Sequence, residues 1–136
     1  MIRILLIEAC ETEAVAIEEA LARKGIELTI VPDVPEGSIR GYHVILTDLC
    51  LANTSGVGTI KAIRLLSPVT PIIVLTGNQN VALHQDCLTA GASLIFVKGE
   101  QVPGSLLRSI RSVIHVSEHK LESVKRLLSR AELLLH

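Results

Sequence analysis

Four residues far apart in this chain have the right types for one piece of chemistry: the carboxylates of Glu8 and Asp48, the hydroxyl of Thr76 and the ammonium of Lys98. Each stands at the end of a short apolar run, at residues 2–7, 42–47, 71–75 and 93–97. A carboxylate facing a hydroxyl and an ammonium suits phosphoryl transfer. The Asp48 oxygen is the nucleophile, while Thr76 and Lys98 contact the phosphoryl oxygens. Taken singly, each has a plainer role: Asp48 as the cap of a loop, Lys98 as a solvated lysine, Thr76 as a strand-end hydroxyl. If Lys98 pairs with Asp48, the opposite charge favours the ionised acid under either reading.

These groups meet only if the runs that end in them lie side by side. The runs are short, apolar and rich in β-branched residues, as expected of strands buried on both faces. Residues 27–31 make another. Between them lie segments with helical spacing. Ala14, Ile17, Ala20 and Leu21 form the first, with Thr12 as its cap and Gly25 as its stop. Thr59, Ile60, Ala62, Ile63 and Leu66 form another, between the turn at 53–56 and Pro68. Val81, Leu83, Leu88 and Ala90 follow, stopped by Gly91. From Pro103, placed at a first turn, the chain reads as helix to its end. Residues 32–41 hold two prolines and two glycines, which leaves at most one helical turn there.

Strands alternating with helices imply right-handed crossovers and a parallel sheet covered on both faces. The expected fold is α/β and flavodoxin-like: a doubly wound five-stranded parallel sheet in order 2-1-3-4-5, with five helices counting the shortened second. That order brings strands one, three, four and five together, and their carboxyl ends with them.

Composition narrows the classes. Of 136 residues, 49% are hydrophobic and only 1% aromatic, so the core is aliphatic. A net charge of −1 offers no bulk attraction to nucleic acid or membrane. No apolar run reaches membrane-spanning length. The apolar start is too short for a signal peptide and runs straight into acidic residues 8–11. Cys10, Cys50 and Cys87 show no CxxC spacing, which points to reduced thiols and a cytoplasmic setting. Cys10 and Cys50 fall in loops beside the pocket, where small buried filler is expected rather than a soft-metal site. His43, His84, His115 and His119 share no spacing that suggests a site. The loop after the first strand is acidic, not glycine-rich, which disfavours a nucleotide or flavin pocket.

The sequence resembles the CheY-like receiver domain of two-component response regulators over residues 2–116. The matching residues are Leu6-Ile7-Glu8, Asp48-Leu49 with Leu51 and the Ser55-Gly56 turn, Thr76-Gly77, and Ala90-Gly91-Ala92 with Lys98. The resemblance implies a phosphoprotein of two-component signalling, and no enzyme beyond self-phosphorylation. Asp48 would be the phosphoacceptor, served by a histidine kinase, phosphotransfer protein or small phosphodonor. Thr76 and Lys98 would stabilise and sense the phosphoryl group, and a surface shift would signal it.

Four departures from the family pattern stand out. Where receivers carry a second acid, a direct Mg²⁺ ligand, this chain has Ala9. Glu8, Asp48 and the backbone carbonyl of Cys50 then remain for Mg²⁺, and weak or absent binding and slow or absent phosphorylation are expected. Ile95 takes the place of an aromatic switch residue, and Phe96 should face the other side of its strand. The second helix is shortened. Gly99 replaces the usual proline after the lysine.

Ile114, Leu121, Val124, Leu128, Ala131 and Leu135 recur at near-heptad spacing, interrupted at Ser117. Residues 1–116 are thus read as the receiver-like domain and 117–136 as a helical extension. The extension serves as a homodimeric coiled coil or as a link to a downstream domain; the alternative is a helix folded back on its own domain. Two functions stay in play: a working phosphoacceptor, supported by Asp48, Thr76 and Lys98, and a pseudo-receiver that acts as an interaction or dimerisation module, supported by Ala9.

Overall fold

The computed structural model of the chain describes residues 1–99 and 104–135. Five parallel strands form one sheet in the order β2-β1-β3-β4-β5. They are β1 (Ile2–Ile7), β2 (Ile26–Val31), β3 (Val44–Thr47), β4 (Ile72–Thr76) and β5 (Leu94–Val97). The helices are α1 (Glu11–Ala20), α2 (Val57–Leu66), α3 (Val81–Ala90) and α4 (Ser105–Leu135). The order is the one expected, and so is the long C-terminal helix.

Side chains alternate across each strand and build two cores. Leu5, Ile7, Ile45, Ile72 and Val74 face α2 and α3 through Ile60, Ile63 and Cys87. Ile4, Leu6, Val44, Leu46, Ile73 and Leu75 face α1 and α4 through Ala14, Leu21, Leu107 and Ile110. Every residue of β3 and β4 is buried, which is why these runs show no polar alternation.

The helix expected between β2 and β3 is absent altogether, so there are four helices rather than five among the described residues. Its place is taken by an irregular connector whose Val34 and Ile39 are buried in the first core. The connector is tied to the end of α2 by the Ile39 N–H donating to the Leu66 carbonyl at 3.2 Å. Two plugged side chains, worth about 1.5–3 kcal/mol each, cover the sheet there in place of a helical stripe. Proline at 32 and 35 removes the donors a helix would have needed.

Both boundaries of α1 shift, and it ends at Ala20, short of the stop expected at Gly25. α1 begins at Glu11 with Cys10 as its N-cap, not at Thr12. The Cys10 carbonyl accepts the Ala14 N–H at 2.9 Å, so the chain turns into helix almost directly from β1. α3 is capped as chemistry favours, by the Asn80 side chain accepting from the Leu83 N–H at 3.1 Å. The placement of Pro103 lies outside the described residues. α4 runs without a break through Ser117 and is about 46 Å long at 1.5 Å per residue.

Candidate functional site

Backbone pairing fixes where the four sequence candidates sit. The Glu8 N–H donates to the Val31 carbonyl at 2.9 Å, Asp48 to Ile7 at 3.1 Å and Lys98 to Thr76 at 2.8 Å. Each is therefore the first residue past its strand, still held by the neighbouring ladder. Thr76 is the last residue of β4. All four lie along the carboxyl edge of the sheet, where open α/β sheets present reactive groups.

Three carboxylates converge there. One oxygen each of Glu8, Asp48 and Glu13 lies within 4.8 Å of the other two. The Lys98 Nζ donates to Glu13 Oε2 at 2.7 Å and to Glu8 Oε1 at 3.3 Å. Sequence reasoning weighed a pair of Lys98 with Asp48 and missed Glu13. The observed ion pairs of Lys98 are instead with Glu8 and Glu13, and Asp48 acts on it as a nearby charge. The Asp48 Oδ1 accepts the Leu49 N–H at 2.7 Å, which orients its carboxylate from its own loop.

Glu8 is the unusual member. It is only 4% exposed, and its Oε2 has no hydrogen-bond partner among the described residues. Burial disfavours its charged form first of all. Hydrogen bonding with Glu13 and the charge of Asp48 act the same way, Lys98 opposes them, and Glu8 is pushed up to about 8. Glu13 is held below the usual carboxylate range by its bonds to Glu8 and Lys98. Burial lowers Lys98, but its bond to Glu13 and the surrounding acids outweigh that and raise it.

Thr76 is buried, and its Oγ1 accepts the Asn78 N–H at 3.0 Å, so the hydroxyl oxygen shapes the β4–α3 loop. Ile95 packs in the first core and Phe96 in the second, on opposite faces as expected. By register Ile95 pairs with Val74, so it shares a face with Thr76, two residues along β4. Gly99 has φ +85°, a conformation closed to proline, so the loss of the usual proline and this backbone turn belong together.

Cys10 and Cys50 are exposed, not buried filler; Cys87 is the buried thiol. Cys50 forms an isolated antiparallel bridge with Ser55 that shapes the loop after Asp48. Of the histidines, His115 and His119 stack at 6.5 Å across one turn of α4, a spacing the sequence reading overlooked.

Oxygen donors alone make this a site for a hard cation rather than a soft one. The set fits Mg²⁺ on an observation of its own: the buried Glu8 Oε2 lacks a donor, and a cation would satisfy it.

The sequence model of a family described as the response regulator receiver domain matches residues 3–111. The cell cycle transcriptional regulator CtrA of Caulobacter vibrioides is 29% identical over 127 residues, 90% of this chain and 54% of its own length. The uncharacterized transcriptional regulatory protein YkoG of Bacillus subtilis is 27% identical over 134 residues, 96% of this chain and 58% of its own. The chain thus spans little more than half the length of these relatives. Among solved structures, the receiver domain of the sensor histidine kinase PA1611 of Pseudomonas aeruginosa is 28% identical. Its TM-score is 0.71, with 83% of this chain and 97% of that one covered, and it has a magnesium ion coordinated in its active site cleft. A CheY-like receiver domain protein from Methanospirillum hungatei shares the fold at a TM-score of 0.77 and 22% identity, over 88% of this chain and 98% of that one. Among the described residues no helix is long and apolar enough to cross a membrane.

Proposed function

This chain belongs to the response regulator receiver domain family of two-component signalling, and from that premise we propose that Asp48 is its phosphoacceptor, taking a phosphoryl group from the phosphohistidine of a kinase or phosphotransfer protein. A carboxylate oxygen of Asp48 attacks phosphorus. The O–P bond forms as the P–N bond breaks, and the imidazole leaves with the electron pair and takes its proton from water. Lys98 neutralises the phosphoryl oxygens and Thr76 bonds one of them. The observation that carries this reading is the cluster of Asp48, Glu8 and Lys98 at one sheet edge. Glu8, Asp48 and the Cys50 carbonyl would hold Mg²⁺, which when bound supplies positive charge to the transferring group. The free thiols Cys10, Cys50 and Cys87 agree with a reducing, cytoplasmic setting.

Residues 1–116 act as the receiver unit and 117–136 as an extension for linkage or dimerisation. Leu107 and Ile110 pack on the sheet, and the same stripe continues as the exposed Leu121, Val124, Leu128 and Leu135. Such a seam suits a parallel coiled coil with a second copy, and it also suits a rigid lead into a further domain. Leu128, 61% exposed, tests the first: Leu128→Glu should turn a concentration-dependent dimer into a monomer in sedimentation runs. A wild type that is monomeric at all concentrations would refute dimerisation through this helix.

The phosphoacceptor reading is tested by intact-mass analysis after incubation with acetyl phosphate, with and without Mg²⁺, on wild type and Asp48→Ala. A Mg²⁺-dependent phosphoryl adduct on wild type alone is expected. No adduct at high Mg²⁺ and long times would replace it with the second reading that Ala9 favours: a pseudo-receiver acting by protein interaction.

A further inference from the structure

Ala9 and Glu13 are four residues apart, and α1 begins between them at Glu11. Side chains on a helix lean toward its N-terminus, so one in the first turn covers the loop just before it. The Glu13 carboxylate is thereby carried back over the stretch where Ala9 offers only a methyl group. Its oxygen comes within 4.8 Å of oxygens from both Glu8 and Asp48. A second, independent observation points to a ligand: the buried Glu8 Oε2 has no hydrogen-bond donor among the described residues. Glu13 also differs from Glu8 in being 45% exposed along its side chain, which leaves room for the waters that Mg²⁺ keeps.

We propose that Glu13 is a ligand of a divalent-cation site in this chain, standing in from α1 for the acid that Ala9 lacks. The inference deepens the phosphoacceptor reading and rests on it for its purpose, though not for its test. The donor set is three carboxylates, Glu8, Glu13 and Asp48, from two loops and one helix. It takes a small hard cation, Mg²⁺ or Mn²⁺, in preference to a thiophilic one. Lys98 enters the same account. Its ammonium bonds Glu13 Oε2 at 2.7 Å, so a cation on that oxygen competes with the lysine. Cation binding then loosens Lys98 from Glu13 and leaves it available to Asp48. The ammonium and the metal thus exchange places as counter-charge, and the site couples metal binding to the freedom of its lysine.

The test uses the full chain and the metal alone. Mg²⁺ is titrated by calorimetry and Mn²⁺ by electron paramagnetic resonance, on wild type, Glu13→Gln, Glu18→Gln and the double variant Ala9→Asp/Glu13→Gln. Wild type should bind one cation saturably. Glu13→Gln should weaken binding by about tenfold or more, as expected for the loss of one charged ligand, at unchanged melting temperature in EDTA. Glu18, an exposed acid on the same helix, should leave affinity unchanged. The double variant should regain much of the lost affinity, because its acid returns at position 9. Glu13→Gln binding within twofold of wild type would overturn the proposal, as would a wild type with no saturable binding. The acetyl phosphate assay separates the two readings. Glu13-dependent binding without an adduct leaves this inference standing and removes the phosphoacceptor. A Mg²⁺-dependent adduct whose half-saturating Mg²⁺ concentration Glu13→Gln leaves unchanged does the reverse.

Discussion

Replacing Glu8 by glutamine should stabilise the metal-free protein at alkaline pH and do little at acidic pH. Glu8 is buried, holds its proton up to about 8, and leaves Oε2 without a donor. The sign follows from linkage. An acid whose folded-state value lies above its unfolded value of 4.5 contributes full stability below 4.5, and that contribution is lost as the pH rises toward 8. Above that point the folded chain must keep an ionised, unsatisfied carboxylate beside Asp48 and Glu13. Leaving one such group unpaired costs about 1–3 kcal/mol, more when it is charged. Glutamine keeps the shape, removes the charge and offers an amide donor to the neighbouring carboxylates. For a chain of this size about 1 kcal/mol moves the melting temperature by roughly 3–5 °C. Calorimetric melts in EDTA should therefore show Glu8→Gln and wild type close together at pH 5. At pH 8.5 the variant should be higher by about 3–15 °C, the same range carried through. A difference that does not change with pH, or a variant that melts lower at pH 8.5, would refute the reasoning. Either result would mean that Lys98 alone already balances the ionised Glu8.

Three other outcomes follow from residues outside the acidic cluster. Arg64 donates to the Gly91, Ser67 and Thr70 carbonyls at 2.6–3.2 Å, and burial lowers its affinity for its proton. Arg64→Met should cost about 2–4 kcal/mol by stranding those carbonyls, read as a lower denaturant midpoint; a loss below about 0.5 kcal/mol would show that water replaces the guanidinium. Gly99→Pro, although it restores the usual family residue, should destabilise by about 1–3 kcal/mol because φ is +85° there; an unchanged melt would mean that the turn can invert freely. Cys10 and Cys50 should react with a thiol reagent in the native protein at pH 8, while Cys87, buried and pushed up by burial and Asp86, reacts only on unfolding. Three native-state equivalents would contradict the burial of Cys87.

What was legible beforehand and what was not divide along a physical line. Runs such as residues 44–47 and 72–76 are uniformly apolar because they are buried on both faces, so their strand character is a local property that composition reveals. The strand order is that of the flavodoxin-like doubly wound fold, one of the orders that alternation with helices and right-handed crossovers allow, again without side-chain detail. Strand ends then point to Glu8, Asp48, Thr76 and Lys98, since a residue's place at the end of a strand is itself local. Glu13 was hidden because its role depends on the phase of a helix, not on its position beside a strand. Capping preference favours Thr12 over Cys10, and a helix started at Thr12 gives no reason to point Glu13 at the sheet edge. With the start at Glu11, Ala14 turns into the core and Glu13, beside it in the first turn, leans over the pocket. The missing helix between β2 and β3 shows the same limit from the other side. Its prolines and glycines forecast a short element, but only packing shows that Val34 and Ile39 suffice to close the core without one. The signal that could have found Glu13 was nonetheless in the chain. A carboxylate one helical turn beyond Ala9 can cover a pocket from which one acid is missing, and Lys98 reports its presence by binding it in preference to Asp48.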